Sequence, residues 1–281
     1  AAQLGQDVEV VHVSHLAEGD VDLTHLEELL SSSNQKTLVS IMHANNEVGI
    51  IVDLVAISAL CREHGALFHS DTVQTVGHYQ MDLGGLDIDF LACSAHKFHG
   101  PKGTGFLYVN PTLRVDGIIV GGGQERMLRG GTENVAGIVG LAKSMDLAFA
   151  HMKEHEDHVR VMKRLMADGL RKEVPGVEFN GCSDRDDRLY TVLNAKFPPH
   201  PNNGMALFLL DLEGVACSGG SACSSGATMG SHVLRALNFH EPDKASVRFS
   251  FSRYTTEADI QLALAAVAKV FAPVAADASV S

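Results

Sequence analysis

Apolar side chains recur along this chain with two different spacings, and the spacing changes from segment to segment. Short, nearly continuous apolar runs at residues 37–42, 66–69, 88–93 and 105–109 are too brief for helices and predict strands, as does the run at 8–12. Between them lie helical spacings. Leu26, Leu29 and Leu30 follow Asp22, a good N-cap, while Leu54, Ile57, Leu60 and Cys61 repeat every three or four residues and stop at Gly65. Strands alternating with helices, each strand almost wholly apolar, predict a mostly parallel sheet with helices on both faces. Beyond Thr132 the period is helical over 135–172, through Ile138, Leu141, Met145, Phe149, Val161, Leu165 and Leu170, predicting one long helix. The remainder mixes strands (177–179, 190–196, 247–251) with helices (205–212, 257–271), an α+β arrangement. The change of pattern predicts two domains, residues 1–145 and residues 146–281.

Composition narrows the class of function. The 281 residues are 45% hydrophobic and 20% charged, as expected of a globular chain. A formal net charge of -12 argues against nucleic acid or an anionic membrane as the main partner. No apolar run approaches a membrane span, and Gln6-Asp7-Val8-Glu9 interrupts any leader-like core. Cys61, Cys93, Cys182, Cys217 and Cys223 are irregularly spaced and include no CxxC pair, so neither a disulfide framework nor structural zinc is expected, and a reducing, cytoplasmic setting is. His151, His155 and His158, like His12 and His15, read as solvated faces rather than a metal site.

Ligands of an open α/β sheet bind beyond the carboxyl ends of its strands. Asn46, Asp71 and Lys97 follow the runs at 37–42, 66–69 and 88–93, which puts an amide, a carboxylate and an amine on one rim. That set suits pyridoxal 5'-phosphate: a lysine for a Schiff base with the aldehyde, and a carboxylate to keep the ring nitrogen protonated. Lys97 is better placed than Lys102, which lies in the glycine-bounded loop that follows. Gln74 and Asn46 are candidate donors to the ring oxygen, and Ser94 and His96 to the phosphate. In the strand at 247–251, Val247, Phe249 and Phe251 alternate onto one face, leaving Arg248 on the other as a clamp for an amino-acid carboxylate. Cys223 lies in a stretch of glycine, serine and alanine, a setting for a reactive thiol, whereas Cys61 and Cys93 sit among branched apolar residues and Cys217 reads as a packed strand residue.

These segments resemble the group I cysteine desulfurases, a branch of the fold-type I pyridoxal-phosphate enzymes. The resemblance is carried by Ser40-Ile41-Met42-His43-Ala44-Asn45-Asn46-Glu47-Val48-Gly49, His69-Ser70-Asp71-Thr72-Val73-Gln74, Ser94-Ala95-His96-Lys97-Phe98-His99-Gly100, Gly121-Gly122-Gly123-Gln124-Glu125-Arg126, Arg129-Gly130-Gly131-Thr132, Ser221-Ala222-Cys223 and Val247-Arg248-Phe249-Ser250, in family order. It implies that Lys97 carries the cofactor and Asp71 pairs with its ring nitrogen. It assigns Gln74 and Asn46 to the ring oxygen, Ser94 and His96 to the phosphate, and Thr132 to the phosphate of a neighbouring subunit in a homodimer. Arg248 would hold the carboxylate of L-cysteine and Cys223 would take its sulfur. The products would be alanine and a persulfide passed to an iron–sulfur scaffold or a thiolation protein. Two departures stand out. The family's Gly-Ala-Thr-Glu phosphate turn and ring-stacking histidine, which precede any counterpart of Ala1, are not in this chain, and Thr191 stands where the family often has asparagine. Selenocysteine lyase is the neighbouring reading, and a catalytically incomplete fragment or partner subunit is the reading from another class.

Overall fold

The computed structural model describes residues 8–219 and 231–272, which fall into two compact units. One takes residues 8–44 and 52–152. The other takes 45–51, 153–219 and 231–272, so a seven-residue segment from early in the chain belongs with the late one.

The first unit is built from α1 (Leu23–Ser32), β1 (Leu38–Ser40), α2 (Leu54–Glu63), β2 (Leu67–Asp71), β3 (Phe90–Ser94), β4 (Gly105–Val109) and α3 (Val135–Ala150). Both early helices start as the sequence suggests. The Asp22 carboxylate accepts from the N–H groups of Thr24 and His25, and that of Asp53 from Val55 and Ala56. The sheet order is β1-β2-β3-β4, with β1, β2 and β3 parallel and β4 antiparallel to β3. A parallel return needs a crossover of a dozen or more residues, and the short link from Ser94 to Gly105 contains no such helix, so β4 folds straight back. The sheet, expected to be mostly parallel, is a mixed one of three parallel strands with β4 antiparallel. Ile57, Phe68, Ile88, Leu91 and Phe98, all at most 2% exposed, form its core.

The second unit holds α4 (Met152–Glu173, from Lys153 on), β5 (Glu178–Phe179), β6 (Val192–Phe197), α5 (Ala206–Leu212), α6 (His232–Ala236), β7 (Ala245–Ser250) and α7 (Glu257–Val270). Its sheet, β5-β6-β7, is antiparallel. Strand β6 is buried on both faces, and Val247 and Phe249 of β7 turn inward as their alternation predicts. Phe197 stacks on Phe271 with centroids 4.2 Å apart. Lys163, on α4, is buried and donates to the carbonyls of Leu189 (3.1 Å) and Arg185 (3.4 Å); burial pushes its ammonium down to about 8.

Three expectations change. Residues 8–12 form no strand: Val8, Val10 and Val11 are exposed, and no described strand pairs with them. The long helix is two, broken at His151, whose backbone leaves the helical region (φ -118°, ψ 15°); the apolar period survives because both halves keep helical spacing. Cys217 lies outside any strand and is half-buried, beside an isolated bridge between Ser218 and Arg248. Among the described residues, no single helix is long and apolar enough to cross a membrane.

Candidate active site

The carboxyl ends of β2 and β3 bring five of the candidate residues together. In the register of this parallel pair Asp71 lies opposite Ala92. The next residue, Thr72, locks the two strand ends: its N–H and its hydroxyl both donate to the Ala92 carbonyl, at 3.1 and 2.8 Å. Beyond Ser94 the chain makes one tight 3-10 turn, Ala95–Phe98. Ala95 and Phe98 are buried and anchor that turn, whereas His96 and Lys97 between them are exposed. The turn is tied down by Ala95 N–H to the Thr104 carbonyl (3.0 Å) and Gly100 N–H to the Ala95 carbonyl (2.9 Å), and a ring nitrogen of His78 lies 3.0 Å from the Lys97 carbonyl. Helix α3 packs on the loop that follows, at a place where a Cβ on Gly140 would come within 2.6 Å of Pro101 Cγ. Lys97 thus stands on a short, rigid pedestal.

Asp71 is exposed, with Oδ1 accepting from Val73 N–H at 2.9 Å. Gln74 follows in the same turn and is half-buried. Ser94 is half-buried and its hydroxyl makes no capping bond to the turn it precedes. Thr132 is exposed in the segment leading to α3. Sequence reasoning did not single out His43. Its N–H donates to the Asp71 carbonyl (2.9 Å) and its Nδ1 lies 2.8 Å from the Thr75 hydroxyl. Burial pushes its imidazole down to about 4, with Asp53 pulling the other way. Its place at the end of an apolar run, like those of Asp71 and Lys97, was the available signal.

Asn46 and Arg248 come together in the second unit. Arg248 Nη1 donates to the Asn46 carbonyl at 2.9 Å. The Arg248 backbone exchanges two hydrogen bonds with Ser218, N–H to carbonyl at 2.6 and 3.2 Å. Burial pushes the guanidinium below its ordinary range, and the charge of Glu47 opposes this. Cys223 lies outside the described residues. Cys61, Cys93 and Cys217 form no disulfides, and burial raises each thiol to about 11, so none is a ready nucleophile at neutral pH. No group of three or more potential metal ligands occurs among the described residues. His158, one of the discounted histidines, places Nε2 2.8 Å from the Thr255 carbonyl.

The donor set at the β2 and β3 ends fits pyridoxal phosphate: an exposed amine on a fixed turn, a carboxylate one strand away, and hydroxyl, imidazole and amide groups around them. Comparisons with known proteins agree. The pattern that defines the aminotransferase class-V family matches residues 1–263. The chain is 38% identical over 260 residues to the cysteine desulfurase IscS of Clostridium botulinum (strain Hall), covering 92% of this chain and 65% of that protein. The chain thus spans about two thirds of that relative's length. Among solved structures, the NifS-like protein of Rickettsia africae superposes with a TM-score of 0.83 at 32% identity, over 92% of this chain and 69% of that one. SspA in complex with cysteine gives 0.70 at 28% identity, over 88% and 67%. A sequence that carries the family pattern over residues 1–263, with a curated relative 38% identical over 92% of the chain, places it in the aminotransferase class-V family, which uses pyridoxal 5'-phosphate.

Proposed function

We propose that the protein bearing this chain is a cysteine desulfurase with the large-domain architecture of the fold-type I enzymes. The observation that carries this reading is the placement of Asp71 at the carboxyl end of β2 and of Lys97 in the turn that follows the carboxyl end of β3, its parallel neighbour. The curated relatives are named for this activity, and a structural neighbour, SspA, was solved in complex with cysteine.

In this reading Lys97 holds the cofactor and then, as a free amine, removes the proton from the substrate Cα. The Asp71 carboxylate keeps the ring nitrogen protonated. Gln74 and Asn46 donate to the ring oxygen, and Ser94, His96 and Thr132 to the phosphate. When bound, pyridoxal phosphate supplies the electron sink for the carbanion at Cα. Arg248 pairs with the substrate carboxylate through the part of its guanidinium not given to Asn46. The Cys223 thiolate attacks the substrate sulfur, so that an S–S bond forms and the C–S bond breaks. Cysteine and one thiol become alanine and one persulfide, with no outside oxidant. Cys217 and the buried cysteines are excluded from that role by their raised pKa values.

Assembly as a homodimer is part of the reading. It is supported by the apolar surface of the first unit, where Ile118, Val120 and Met127 are 96%, 87% and 75% exposed. The persulfide would pass to an acceptor protein of iron–sulfur assembly or thiolation in a reducing, cytoplasmic compartment.

The test is alanine production from L-cysteine, with selenocysteine run beside it. Lys97→Ala should abolish turnover together with the visible absorbance that pyridoxal phosphate gains on binding. Cys223→Ser should abolish protein-bound sulfur. Full activity of Lys97→Ala would overturn the assignment of the base, and protein-bound sulfur on Cys223→Ser that of the acceptor.

A further inference from the structure

We propose that Glu47 is a positioning residue for Arg248, a fixed counter-charge that holds the guanidinium ready for a substrate α-carboxylate. This rests on the reading of Arg248 given above. Asn194 of β6 and Arg248 of β7 are direct cross-strand partners. Their side chains bond two successive carbonyls of the same segment: Asn194 Nδ2 donates to Glu47 O and Arg248 Nη1 to Asn46 O, each at 2.9 Å. The strand pair therefore sets both the position of Glu47 and the pose of the arginine.

Glu47 is fully buried and held from three sides. Its N–H donates to Asn45 Oδ1 (2.8 Å), its carbonyl accepts from Asn194, and its Oε2 accepts from the Ser231 hydroxyl (2.5 Å). Ser231 is itself fixed, since its oxygen caps α6 by accepting from Leu234 N–H at 3.0 Å. A buried carboxylate needs a positive partner or a full set of donors. Glu47 Oε1 accepts no hydrogen bond among the described residues and Arg248 Nε makes none there, and Arg248 is the cation whose electrostatics the Glu47 charge affects. Two residues of opposite charge, each with a side-chain atom short of a hydrogen bond, are thus tied to the same Asn46–Glu47 segment, one by its side chain and one by belonging to it. Among the described residues the guanidinium makes one hydrogen bond, to Asn46 O, and a charge beside it restricts rotation about that anchor. With Glu47 in place, the guanidinium is oriented before any ligand arrives, which lowers the ordering cost of binding.

Glu47→Gln separates this role from a structural one, because the amide oxygen can still accept from Ser231 while the charge is gone. The protein loaded with pyridoxal phosphate is titrated with L-alanine and with ethylamine, the same amine lacking the carboxylate, and followed by visible absorbance. Glu47→Gln is expected to weaken L-alanine about tenfold and to leave ethylamine within about twofold. In the cofactor-free protein, the Arg248 Nε–H NMR resonance should be sharp in the wild type and shifted or broadened in the variant. An unchanged L-alanine affinity, an equal loss for both ligands, or an unchanged Nε–H resonance would each overturn the proposal. Failure of the desulfurase reading shows separately, as wild-type protein that releases no sulfur from L-cysteine, and leaves these comparisons standing.

Discussion

The His43 imidazole, pushed by burial down to about 4, stays neutral where an unfolded chain would already hold a proton. Because the folded value lies below the unfolded one, the unfolded state binds the extra proton between the two, and stability falls as the pH drops from about 6.5 toward 4. Between neutral pH and about pH 5 this amounts to roughly 2 kcal/mol. His43→Gln should remove that component. Urea midpoints at the two pH values should diverge less for the variant than for the wild type, and identical pH slopes would contradict the assignment. Such residues differ in how far the sequence exposes them. The positions of Lys97 and Asp71 beyond and at strand ends were legible because each follows an apolar run. Glu47 was not, because a glutamate after two asparagines reads as a solvated turn. What buries it are Asn194 and Ser231, 147 and 184 residues away, and no local spacing encodes those.

The short turn Ala95–Phe98 owes its position to what surrounds it. Gly77, with φ +79°, lies so close to Phe98 that a Cβ there would come within 2.8 Å of the Phe98 Cβ. Gly77→Ala is therefore expected to cost about 2–4 kcal/mol from overpacking and backbone strain together. Phe98 is next to Lys97, so the same change should also weaken the Lys97-dependent uptake of pyridoxal phosphate. Urea unfolding and a spectrophotometric titration measure the two effects, and a stable variant with undiminished uptake would show that the turn is not held from this side. Apart from residues 8–12, strand and helix identities in this unit followed from period and caps. The direction of β4 did not, since direction is set by the length of the connection and not by the strand's own residues. The break at His151 escaped for a related reason: a helical period continues across a one-residue interruption, and only the backbone angles reveal it.

In the first unit the apolar side chains of Ile118, Val120 and Met127 are exposed. If the exposed side chains near residue 118 are covered by a second copy, replacing Ile118 and Val120 together by aspartate should yield a monomer in sedimentation equilibrium. The parent should sediment as a dimer, and a parent that is already monomeric would remove the basis for a shared site. A change of apolar period near residue 145 was visible in the sequence. The loan of residues 45–51 to the second unit was not, because that segment carries no pattern of its own. This loan also orders events in time. The Asn46 carbonyl leaves the ribosome 202 residues ahead of the arginine that bonds it. At about 5–20 residues per second that is a wait of roughly 10–40 s. Through that interval the nascent chain carries a polar segment whose burial partners have not yet been made, and no shorter nascent chain can form the bond between Asn46 and Arg248.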